Sequence, residues 1–167
     1  MYVFTTMATD SPRLRTAKAY IAFFATLDNS LLSALLSDDT FEHVMAPSSL
    51  AIPPLSKPQF LAHSDDLRKI MSGFPVFARE YLESESGNSV VVWATSSTDF
   101  REVVKRGEEG WEYEGEYVFL LKMDASGERI VKVVEMMDSL KTERDLRPLM
   151  KRARERALGP DGNGVSR

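Results

Sequence analysis

Glu135 is the residue whose setting most needs a chemical reason. In the run over residues 130–140 the period is two, and Val131, Val133, Glu135 and Met137 share one face. A carboxylate is rarely set among aliphatic side chains unless something pairs with it. A carboxylate placed so is a candidate general acid or base. The alternative is that this face is the solvent side near a sheet edge, and Lys132 and Asp138 on the opposite face argue against it.

A second alternating run covers residues 111–123. One face carries Trp111, Tyr113, Gly115, Tyr117, Phe119, Leu121 and Met123, while the other begins Glu112, Glu114, Glu116. The aromatic face must look inward. Tyr113 and Tyr117 are then inward hydroxyls on either side of a glycine, with open space expected between them. They could hold and polarise a carbonyl or hydroxyl. Either could equally be a core tyrosine whose hydroxyl is satisfied locally.

There are two histidines. His43 shares a strand face with Phe41 and Met45, and His63 falls on the apolar stripe of a helix. A lone histidine on an apolar face is more often a hydrogen-bonded core residue than a catalyst. His43 is the candidate second proton-transfer partner, and His63 a wall residue. No HxH, HExxH or HxxxH spacing is present, so no metal is expected. GxGxxG, P-loop and GxSxG motifs are also missing.

These residues need elements to position them. Ser11-Pro12 starts a first helix whose stripe runs Leu14, Ala17, Ile21, Phe24 and Leu31, widened by Tyr20, Phe23 and Leu27. Residues 28–30 interrupt it, and a short second helix follows to Leu36. Residues 40–46 read as a strand. Pro47, Pro53 and Pro54 mark an extended, non-helical loop. A third helix spans 58–72, with Phe60, Leu67, Ile70 and Met71 as its stripe. Strands follow at 76–83, 90–101, 111–123 and 130–140, with a loop at 107–110 and a hairpin turn at 124–127. A helix over 142–157 closes one domain, residues 1–158, and 159–167 read as a disordered tail. Successive strands joined by short turns give an antiparallel meander with helices on one face, an α+β fold.

The bulk numbers narrow the function. The chain has 167 residues, 43% hydrophobic and 28% charged, with a net charge of −4. One domain with a real core fits this. The acidic balance argues against nucleic-acid binding. The one basic run, Lys151, Arg152, Arg154 and Arg156, shares its helix with Glu143, Asp145 and Glu155 and reads as a solvated face or a dimer contact. The absence of cysteine removes disulfides and thiolate chemistry and fits a reducing compartment. No apolar run approaches the roughly 20 residues of a membrane span, and no signal peptide is evident. A cytoplasmic protein without membrane contact is expected.

The segments FEHVMAPSSLAIPP (41–54) and WEYEGEYVFLLKMDASGERIVKVVEMMDSL (111–140), with the helix-first layout, resemble fungal SnoaL-like proteins of the nuclear transport factor 2-like superfamily. The shared features of the last hairpin are Gly127, Ile130, Lys132, Glu135 and Asp138. The resemblance covers residues 13–146. It implies a cone-shaped barrel of a curved, largely antiparallel mixed sheet around N-terminal helices, with a C-terminal helix, often as a homodimer. Members of this fungal group act without a cofactor in natural-product biosynthesis, as isomerases, cyclases and a semipinacolase. In the semipinacolase type, two tyrosines on the penultimate strand, a glutamate on the last and an arginine near the first line the pocket. Tyr113, Tyr117 and Glu135 match in type and spacing. Where the arginine would stand, this chain has Glu42 or His43.

The resulting expectation is a cofactor-independent isomerase or cyclase acting on a mostly apolar small molecule. Glu135 is its acid or base, Tyr113 and Tyr117 its polarising hydroxyls, and His43 the second proton carrier. Phe24, Phe60, His63, Phe74, Trp93 and Phe119 are its walls. The alternatives are a non-catalytic ligand- or protein-binding module of the same superfamily and a polyketide cyclase or dehydratase.

Overall fold

The computed structural model describes residues 9–158. Two helices come first. α1 (Pro12–Phe23) is capped by Ser11, whose hydroxyl accepts from the Leu14 N–H at 3.0 Å. α2 (Asn29–Leu35) is capped by Asp28 in the same way. Strand β1 (Glu42–Ala46) and the two-residue β2 (Leu55–Ser56) precede α3 (Lys57–Ile70). A capping box opens α3: the Gln59 side chain accepts from the Ser56 N–H at 2.9 Å. Between β1 and β2 the proline-rich loop is not wholly extended, because Ser48–Leu50 closes a 3-10 turn.

The meander follows as β3 (Met71–Gly73), β4 (Val76–Ser84), β5 (Ser89–Ser97), β6 (Asp99–Phe100), β7 (Glu114–Met123) and β8 (Ile130–Met137). The six-stranded sheet has the order β2-β1-β8-β7-β5-β4. Its pairings are antiparallel except β1 against β8. β3 and β6 form a separate small ladder. The architecture is α+β with a mixed, mostly antiparallel sheet, consistent with the cone fold of the superfamily.

Several boundaries differ from the sequence reading: the third helix stops at Ile70, and Met71 and Ser72 belong to β3. The strand expected over 90–101 stops at Ser97, and a short helix, α4 (Glu102–Lys105), follows β6. β7 begins at Glu114, not Trp111. Upstream of it, the Thr98 hydroxyl takes the place of a backbone acceptor for the Tyr113 N–H. β8 ends at Met137 because the Asp138 side chain caps the next turn, accepting from the Lys141 N–H at 3.0 Å. The C-terminal helix accordingly starts early, as α5 (Ser139–Lys141), a π-helical turn (Thr142–Leu146) and α6 (Arg147–Leu158). Residues 159–167, read as a tail, lie outside the described residues.

The core lies between α1 and the inner face of the sheet. Ala17, Tyr20 and Phe23 from α1 are buried with Val92 and Ala94 from β5, Phe119 and Leu121 from β7, and Val133 from β8. Aromatic edges interlock there, with Tyr20 against Phe24 at 5.4 Å and Phe119 at 6.2 Å. Among the described residues no helix is long and apolar enough to cross a membrane.

Candidate active site

Alternation along β8 turns Glu135 inward, as expected, and leaves it almost wholly buried. Its register neighbours are Met45 on β1 and Phe119 on β7. His43 reaches it from β1: Nε2 lies 3.1 Å from Glu135 Oε2. The imidazole is fully buried and stacked on Phe60, centroids 4.1 Å apart and planes 14° from parallel. The distance is that of an ion pair, yet neither ring nitrogen makes an aligned hydrogen bond. The groups touch without being bonded in line.

The tyrosines part company. Tyr117 lines the cavity described below, stacked on Phe119 at 5.6 Å, and its hydroxyl accepts from Ser96 Oγ at 3.3 Å. Burial pushes this phenol far above its ordinary pKa, so it stays protonated and can donate. The space expected above Gly115 is not open, because the Tyr117 ring folds back over it. A Cβ on Gly115 would sit 2.6 Å from Tyr117 Cε2. Gly115→Ala should therefore displace the ring and cost about 1–3 kcal/mol of stability, as overpacking does, readable as a lower midpoint in urea unfolding. Tyr113 is buried but outside the cavity wall, with its hydroxyl 3.5 Å from Thr142 Oγ1. Thr142, not Tyr113, touches the cavity.

The cavity holds about 510 Å³, within the usual range for small-molecule sites. Glu135 and Tyr117 face it from the sheet. Phe24, Phe60 and Phe74 form apolar wall, and His63 and Ser64 reach it from α3. A larger depression, about 610 Å³, opens on the polar edge between β4 and β7. The smaller cavity is the candidate site, because it alone of the two joins an inward carboxylate to aromatic walls.

Two expected wall residues do not reach the cavity. Trp93 is 46% exposed on the outer face, its indole N–H donating to Glu116 at 2.7 Å. Parity decides this, since Val92 and Ala94 on either side are fully buried. Phe119 is buried one layer deeper, behind Tyr117.

Sequence reasoning missed two contributors. Tyr20, read as part of the α1 stripe, has a fully buried hydroxyl without a hydrogen-bond partner, and its pKa is raised by burial and then by the Glu135 charge. A hydroxyl inside an otherwise apolar stripe was the available signal. The second is cationic. The basic run is not one solvated face, because helical rotation divides it. Arg152 and Arg156 cover the Trp111 ring at 4.1 and 5.3 Å and pair with Glu108, while Lys151 and Arg154 line the cavity together with Arg147. β1 supplies no arginine, and the cavity's positive charge comes from the C-terminal helix instead.

His63 is held below its ordinary pKa chiefly by burial. The charges of His43 and Arg154 act in the same direction, and Glu135 and Asp66 oppose them. On acidification the unfolded chain takes up this proton first, near pH 6.5. The fold therefore loses stability as pH falls from about 6.5 through the lower native value. His63→Gln should flatten that part of the stability profile in thermal unfolding between neutral and mildly acidic pH. Among the described residues no three His, Asp or Glu side chains converge to hold a metal ion.

Neither a family model nor a curated relative matches the sequence. Solved structures do. AusH from Aspergillus nidulans aligns with a TM-score of 0.65 at 25% identity, over 78% of this chain and 86% of that one. BvnE pinacolase from Penicillium brevicompactum aligns at 0.73 and 18% identity, over 86% and 97%. A nuclear transport factor 2-like protein from Burkholderia pseudomallei aligns at 0.64 and 14%, over 81% and 98%.

Proposed function

We propose that this chain, whose fold is similar to those of SnoaL-like and nuclear transport factor 2-like solved structures, is a cofactor-independent isomerase or cyclase of a mostly apolar fungal metabolite. One observation carries the reading: a nearly buried carboxylate, Glu135, lies on the wall of an apolar cavity with a fully buried imidazole 3.1 Å behind it. Glu135 takes a proton from, or gives one to, the bound molecule. His43 is the reservoir behind it, exchanging a proton with the carboxylate so that the next cycle starts from the same state. Tyr117 donates its hydroxyl to an oxygen on which negative charge develops. Thr142, backed by Tyr113, sets the opposite polar contact. The aromatic walls exclude water and hold a reactive conformer.

An isomerisation or cyclisation of this kind leaves the molecular mass unchanged. Incubation with isoprenoid or polyketide intermediates, followed by chromatography and mass spectrometry, tests it. A new product of equal mass supports the reading. Loss of one water marks a dehydratase instead, a reading favoured by the two histidines near Glu135. Saturable binding without a product marks a binding module.

The protein is further proposed to act in the cytoplasm as a homodimer through the outer sheet face. Trp93, Val118 and Met136 lie side by side across β5, β7 and β8 and are all exposed. Apolar rows of this kind mark interaction surfaces. Sedimentation should give twice the chain mass, and Val118→Glu should give the monomer. A wild-type monomer would remove the proposal.

A further inference from the structure

The cavity is apolar inside but not electrically neutral at its edge. Arg147, Lys151 and Arg154 reach it from positions spaced by four and three along α6, which is one helix face. Among the described residues that line the cavity, Glu135, on the sheet wall, is the sole carboxylate. The three cations differ in how far they are already engaged. Arg147 pairs with Glu143 at 2.9 Å and donates to the Leu50 carbonyl at 2.8 Å. Lys151 stands 3.9 Å from Glu155. Arg154 enters none of the α6 ion pairs found among the described residues. The nearby Asp66 is paired with Lys69 at 2.7 Å.

A second group points to the same place from the other wall. Ser64 on α3 is 2% exposed, lines the cavity, and its hydroxyl has no hydrogen-bond partner. A buried hydroxyl left so costs free energy unless a ligand completes it. Its neighbour in sequence, His63, lies within reach of the Arg154 charge and also faces the cavity. Arg154, His63 and Ser64 thus make a polar corner between α3 and α6, facing an apolar interior.

We propose that this corner binds an acid group, so that the substrate is an amphipathic anion: an apolar body carrying a carboxylate, held by Arg154 and Ser64 while the reacting carbon lies at Glu135. The inference rests on the proposed use of the cavity and adds the substrate class. Guanidinium suits a carboxylate because its planar donors match two oxygens.

Two fluorescent probes of nearly one shape separate charge from shape: 1-anilinonaphthalene-8-sulfonate and its uncharged parent, N-phenyl-1-naphthylamine. Mutual displacement at one-to-one stoichiometry would place both in the cavity. The wild type should bind the sulfonate about tenfold more tightly, a preference that shrinks with added salt. Arg154→Gln should weaken the sulfonate about five- to tenfold and leave the neutral probe within about twofold. Arg152→Gln, on the same helix but turned to Trp111, should change neither. Equal affinity for the two probes, or an equal effect of Arg154→Gln on both, overturns the anion assignment while the apolar cavity stands. Failure of both probes to bind overturns the assignment together with the small-molecule reading.

Discussion

Glu135→Gln should lower kcat by about a thousandfold, within the range that one acid–base group supplies. The substitution keeps the side chain's shape and its place between Met45 and Phe119. It removes the ability to cycle a proton. Near-ultraviolet circular dichroism and the thermal midpoint should remain close to wild type, because the amide still fills the cavity wall and can accept from or donate to His43. Substrate binding should persist, so the variant is suited to trapping the complex. Full activity in this variant would remove Glu135 from the chemistry and leave the cavity as a binding site.

His43→Phe is the second large effect, and it separates chemistry from packing. His43 is not part of the cavity wall; it lies behind Glu135, stacked on Phe60. Phenylalanine preserves the stack and loses the nitrogens. Turnover should fall about a hundredfold, while KM stays within a fewfold, since no contact with the bound molecule is lost. A raised KM with unchanged kcat would instead mean that His43 only shapes the wall. Because the buried carboxylate loses its imidazole neighbour at 3.1 Å, a stability loss on the order of 1–3 kcal/mol should accompany the change.

Period-two alternation made the inner faces legible. Along β7 every odd position from Gly115 to Met123 is buried, and along β8 Val133 and Glu135 point in together. The cap at Ser11 and the turn at Asp124–Gly127 were equally readable, the second because Gly127 adopts a positive φ and Asp124 Oδ1 accepts from its N–H. What failed did so for identifiable reasons. Trp93, expected on the cavity wall, lies outside by its parity beside the buried Val92 and Ala94. Tyr113 and Tyr117 are equivalent by alternation, and only the fold-back of one ring over Gly115 and the approach of Thr142 to the other distinguish them. The division of the basic run depends on which side of α6 meets the cavity, a tertiary fact that charge counting does not contain.

The parallel pairing of β1 with β8 has a kinetic meaning. Partners in that ladder, such as Glu42 and Lys132, are 90 residues apart in the chain. Closing so long a loop is entropically costly, and contacts of this separation slow folding. The imidazole is made early on the ribosome and the carboxylate late, with most of the meander between them. A nascent chain that has not yet released β8 has His43 without its Glu135 neighbour. The approach of His43 to Glu135 therefore forms only once β8 is available to pair with β1.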